Sequence, residues 1–132
     1  MKKFKRTISI LLLSVALQPV FSLSDIFENI SLLISSSNSR QISSYFGNNV
    51  DLTIVNAEEV YSKAQAEQIL KDFFTKNPPK SFSIIHRGVS KEGSKYAIGN
   101  YITTNGGSFR TYVYVKTVGG AEQIQEMRFE KE

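Results

Sequence analysis

The side chains able to do acid–base or recognition chemistry in this chain are few: one histidine, six tyrosines and a scatter of carboxylates. His86, in the run Ile84-Ile85-His86-Arg87-Gly88, is a candidate general base or pocket hydrogen-bonder, histidine being the side-chain type suited to proton transfer near neutral pH. A site of the isomerase or dehydratase kind pairs such a base, or a carboxylate, with a tyrosine or acid facing an apolar cavity. Tyrosines stand at 45, 61, 96, 101, 112 and 114, enough for such a pairing to arise by chance. The carboxylates are less suited. Asp72 lies off the apolar stripe of its helix, Asp51 alternates with Val50 and Leu52, and Glu126 and Glu130 alternate with Met127 and Phe129. That spacing turns these acids away from the apolar side, and no catalytic residue is assigned. A single histidine and no cysteine argue against a transition-metal site. No cofactor is implied either: the chain has no G-x-S-x-G, no P-loop and no calcium loop.

These groups must be positioned by helices that come first and strands that come last. Ser24 or Asp25 can cap a helix whose apolar face is Ile26, Phe27, Ile30, Leu33 and Ile34. After the polar run Ser35 to Ser39, a shorter helical pattern of Ile42, Tyr45 and Phe46 is expected to stop at Gly47. Val50, Leu52 and Ile54 then alternate with polar residues as a strand, with a weaker extended return through Glu59 to Tyr61. Ser62 and Gln65 form a capping box, with Tyr61 and Ala66 placed as its staple. The helix that follows carries one stripe, Ala66, Ile69, Leu70, Phe73 and Phe74, and Pro78-Pro79 prevents its continuation.

Four extended runs complete the chain, near residues 81–90, 95–104, 109–118 and 121–130. Turn signals at Glu92-Gly93, Asn105-Gly106-Gly107 and Gly119-Gly120 separate them, which predicts an antiparallel meander. The runs are long for strands, whose usual length is ~5–6 residues. Helices followed by a long meander predict an α+β domain, with helices gathered on one face of a curved sheet. Ala97, Gly99, Tyr101 and Thr103 share one side, opposite Tyr96, Ile98, Asn100 and Ile102. In the next strand Phe109, Thr111, Val113 and Val115 oppose Arg110, Tyr112, Tyr114 and Lys116. One side reads as core. The other mixes tyrosine with cations, a composition found at interfaces, so Tyr96, Arg110, Tyr112 and Tyr114 are candidate interface residues.

Charge sets the remaining bounds. The chain holds 16 basic and 12 acidic residues. Four of the bases, Lys2, Lys3, Lys5 and Arg6, precede the apolar run Ile8 to Leu17, and Pro19-Val20-Phe21-Ser22 follows. This is the pattern of a secretory signal peptide, so residues 1–22 are expected to be removed and residues 23–132 to form one exported domain, periplasmic or extracellular. Without those four bases the count is 12 against 12, which offers no footprint for nucleic acid. No later apolar run approaches the ~20 residues of a membrane span.

Two stretches carry a family resemblance: YSKAQAEQILKDFF at 61–74, and the strand runs FSIIHRG, YAIGNYITTNGGSFRTYVYVK and IQEMRFE. They resemble a family of small exported bacterial domains of unknown function, itself similar to the nuclear-transport-factor-like (cystatin-like α+β) superfamily. The resemblance implies a cone, with helices in the concavity of a strongly bent sheet and often a pocket at its open end. It implies no activity, because that superfamily includes enzymes, binding modules and scaffolds. The expectation is a non-enzymatic binding or interaction module, working as a homodimer or with a protein partner through the sheet face. The alternative is a binder of small apolar ligands with Tyr45, Tyr61, His86 and Tyr101 at the cone mouth; an isomerase- or dehydratase-like enzyme ranks last.

Overall fold

The computed structural model describes residues 25–132; the expected signal peptide lies outside the described residues. Asp25 opens helix α1 (Ile26–Ser35) by accepting a hydrogen bond from the Phe27 amide, and Ile26, Phe27, Ile30 and Ile34 form its buried face. A short helix α2 (Ser39–Ser43) follows, capped by Asn38. It ends earlier than its apolar spacing predicts. Phe46 already belongs to strand β1 (Phe46–Ile54), paired with Ile124 and 1% exposed, so sheet pairing overrides the helical pattern and Gly47 lies inside a strand. Strand β2 (Ala57–Ser62) returns antiparallel to β1 through a two-residue turn. Its last residue caps helix α3 (Lys63–Lys76): the Ser62 hydroxyl accepts from the Gln65 amide and the Gln65 side chain from the Ser62 amide.

Strands β3 (Pro79–Val89), β4 (Lys95–Thr103), β5 (Ser108–Val118) and β6 (Ala121–Lys131) form the expected antiparallel meander. Strand β1 then joins β6 in parallel, so the sheet is mixed and its order is β2-β1-β6-β5-β4-β3. Helix α3 covers β1 and β2 on the inner face, and α1 lies against β3. Between helices and sheet Phe73, Phe74, Tyr101, Phe109 and Phe129 pack ring to ring, with Met127 fully buried among the same core residues. Thus the interior of the cone is filled by side chains. Gly99 is required by a close approach: a Cβ at this position would lie 2.5 Å from the Phe82 ring of β3.

Two bulges decide which side chains face outward. Pairing in β3 slips between Ile84 and His86, so Ile84 stays opposite Gly99 on the inner face while His86 pairs with Ile98 on the outer face. A second slip, between Tyr114 and Val115 of β5, leaves both Ile124 and Met127 of β6 buried.

Candidate functional site

The four residues expected at a cone mouth do not converge. Tyr101 is 0% exposed, packed among phenylalanines, and donates its hydroxyl to the Asn77 carbonyl at the end of α3. Burial pushes its pKa well above the ordinary tyrosine value. Tyr45 borders a groove with Leu32, Leu33 and Gln41 of the first two helices. Tyr61 borders a different one, an open apolar groove of 470 Å³ with Ala64, Gln68 and Ile69. Burial raises the Tyr61 pKa, helped by the Glu59 carboxylate beside it. His86 lies on the opposite side of the sheet, because the bulge after Ile84 reverses its direction. Above Phe73 and Phe109 a 380 Å³ groove is bordered by Ile54, Ile69 and Asp72. Among the described residues no charged side chain falls in the buried interior.

The four residues expected on the outer face do share it, and the register brings others to them. One row across the sheet reads Asp51, Glu126, Tyr114, Tyr96, Gly88. The next reads Thr53, Arg128, Tyr112, Ile98, His86. A ladder of side chains crosses four strands diagonally. His86 Nε2 lies 3.1 Å from the Tyr96 hydroxyl. Tyr96 stacks on Tyr112 at 6.0 Å between centroids, and the Arg128 guanidinium lies 5.1 Å above the Tyr112 ring. Arg128 in turn donates through Nε and Nη2 to Glu126 Oε1. Tyr96 lies across Gly88, where an added Cβ would meet its ring at 2.2 Å. Burial, then the Glu126 carboxylate, raises the Tyr112 pKa. Arg110 projects one register step away, opposite Asn100 and Glu130.

Sequence reasoning turned Asp51 and Glu126 away from the apolar side but did not join them, or Thr53 and Arg128, to this surface. Glu126 and Arg128 were within reach of strand parity, being two apart on the outward side of β6. The contribution of β1 was not, because its parallel pairing with β6 joins residues far apart in the chain.

This surface offers stacked rings, hydroxyls, an imidazole, a guanidinium and carboxylates held across four strands of the sheet. Among the described residues no helix is long and apolar enough to cross a membrane. No curated protein matches the chain in sequence. The crystal structure of a DUF4783 family protein from Bacteroides uniformis ATCC 8492 is similar, with a TM-score of 0.76 at 29% identity over 82% of this chain and 98% of that one. A DUF4783 family protein from Bacteroides ovatus ATCC 8483 has a TM-score of 0.72 at 30% identity, over 78% and 92%. An NTF-2 like protein of unknown function from Silicibacter pomeroyi DSS-3 shares the fold, with a TM-score of 0.59 at 11% identity over 81% and 90%. A family model described as Domain of unknown function (DUF4783) matches residues 27–130, and the chain belongs to that family, with a nuclear-transport-factor-like α+β fold.

Proposed function

We propose that this domain is a non-enzymatic protein-interaction module of an exported protein, and that it pairs with a second copy through the outer face of its sheet. The observation that carries the reading is the ladder His86, Tyr96, Tyr112, Arg128, Glu126, which fixes aromatic and charged groups across four strands. Rings held by their neighbours lose little side-chain entropy when a partner covers them, and tyrosine and arginine are the types enriched at interface centres. A second copy is the occupant favoured by charge. Strand β5 presents Arg110 and Lys116, whereas β1 and β6 present Asp51, Glu126 and Glu130, with Arg128 of β6 bonded to Glu126, so the net charges on the face are complementary to themselves under a two-fold rotation. Export rests on the basic and apolar leader at residues 1–22. A ligand-binding or isomerase-like role finds less support, since the interior is filled and its tyrosines are dispersed.

Sedimentation of the protein, expressed from its full chain, tests the reading across concentrations up to ~1 mM, where association stronger than ~4 kcal/mol is visible. A reversible dimer is expected, and Tyr112→Ala, with its circular dichroism unchanged, should shift the equilibrium to monomer. A wild-type monomer throughout, or a dimer indifferent to Tyr112→Ala and Tyr114→Ala, would overturn it.

A further inference from the structure

On β1 the outer face holds two polar atoms with nothing to bond. Asp51 Oδ1 is buried without a hydrogen-bond partner, and so is Thr53 Oγ1, whose residue is only 7% exposed. The two side chains stand two residues apart on the same side of the strand, and Asp51 is directly in register with Glu126 of β6. Buried carboxylate oxygens without donors are costly, and native structures normally satisfy them. The cation in register with Thr53, Arg128, is already bonded to Glu126. Glu58 of β2, in register with Thr53, adds a third carboxylate, so this corner keeps an excess negative charge whichever acid Arg128 holds. Among the described residues no three His, Cys, Asp or Glu side chains are grouped so as to hold a metal ion, which favours an organic cation with several donors as the complement. A guanidinium fits best: its planar fork can serve a carboxylate and still reach a hydroxyl and a second carboxylate.

We propose that Asp51, Thr53 and Glu126 form a guanidinium-binding site, and that Arg110 of a second copy fills it. The occupant follows from the register. Starting from Arg128, Asp51 lies one strand away and two residues back, as the neighbour of Glu126; Arg110 lies one strand away on the other side and two residues forward, as the neighbour of Glu130. Arg128 is therefore the midpoint of the line between them. A two-fold axis lying in the face, through Arg128 and across that line, exchanges the two positions, so each Arg110 meets the other copy's Asp51. Arg110 is exposed and takes no part in the four ion pairs found among the described residues. The like charges of the two Arg128 groups near the axis are each neutralised by their own Glu126, and Tyr112 and Tyr114, on the neighbouring strand, close the centre. This site rests on the self-pairing read above and names its contacts.

Charge exchange tests it. Arg110→Asp and Asp51→Arg should each weaken the dimer at least tenfold by sedimentation, and the double variant should recover most of the loss. Asp51→Asn, which keeps the shape, should weaken it in the same direction. In Arg110→Ala the site is vacant, and titration with N-acetyl-arginine amide should shift the amide resonances of Asp51, Thr53 and Glu126 saturably, more than N-acetyl-lysine amide does. A dimer with unchanged dissociation in all three single variants would overturn the site and leave self-pairing standing. A monomeric wild type would remove self-pairing, and the titration alone would then decide: saturable shifts at Asp51 and Thr53 uphold the guanidinium site, and none overturns it.

Discussion

Replacing Phe73 by alanine should reopen the interior of the cone, and the cost can be worked out from its surroundings. The residue is 3% exposed, and its ring centroid lies 4.4 Å from that of Phe129, 5.2 Å from Phe109, 5.5 Å from Tyr101 and 5.9 Å from Phe74. A buried Phe→Ala change costs ~3–5 kcal/mol. Four aromatic neighbours, each pair contributing ~0.5–1.5 kcal/mol beyond buried area, place this one toward the upper end. Domains of this size are stable by only ~5–15 kcal/mol, so a third or more of the total should go. Urea unfolding followed by circular dichroism measures it: the midpoint should fall sharply with an unchanged slope. Ile69→Ala on the same helix, at a partly buried position, is the comparison and should cost markedly less. The vacated volume should then bind a small apolar probe. Benzene should raise the midpoint of the variant and leave wild type unmoved, because stabilisation by a ligand requires a site in the folded state. A loss below ~1.5 kcal/mol, or equal stabilisation of wild type by benzene, would refute a closed interior, since either means the ring is not filling the space.

Two further outcomes follow from single residues. Tyr101 ionises far less readily in the fold than in the unfolded chain, so above pH ~10 the unfolded state binds fewer protons and stability falls by up to ~1.4 kcal/mol per pH unit. Tyr101→Phe should cost about 1 kcal/mol at neutral pH, through the lost bond to the Asn77 carbonyl, and should flatten the alkaline decline by one proton; an equally steep decline in the variant would contradict this. Val55, in the turn between β1 and β2, is held at φ 60°, where a β-branched side chain is strained. Val55→Asn should therefore raise stability by ~1 kcal/mol in the same urea assay, and a decrease would show that the Val55 side chain contributes more than its backbone costs.

The local elements were legible in the sequence because their causes are local. The capping box at Ser62 and Gln65, the stripe from Ala66 to Phe74 and the proline stop place α3 without reference to the rest of the chain. The glycine turns and the alternation around Tyr101 and Val113 likewise separate core from outer face in β4 and β5. That alternation was sufficient to put Tyr96, Arg110, Tyr112 and Tyr114 on one surface.

What the tertiary structure alone decided is how that surface is completed and whether the cone is open. One extra residue at Ile85 sends His86 outward to Tyr96, because side chains alternate with a period of two and a bulge reverses every residue beyond it. Parallel pairing of β1 with β6 brings Asp51 and Thr53 beside Glu126 and Arg128, each pair 75 positions apart in the chain, for which neither strand carries a sequence mark. The filling of the interior depends on five aromatic rings from α3, β4, β5 and β6 meeting in one place. Periodicity along the chain reports which way a side chain points, whereas packing depends on which other side chains arrive from elsewhere.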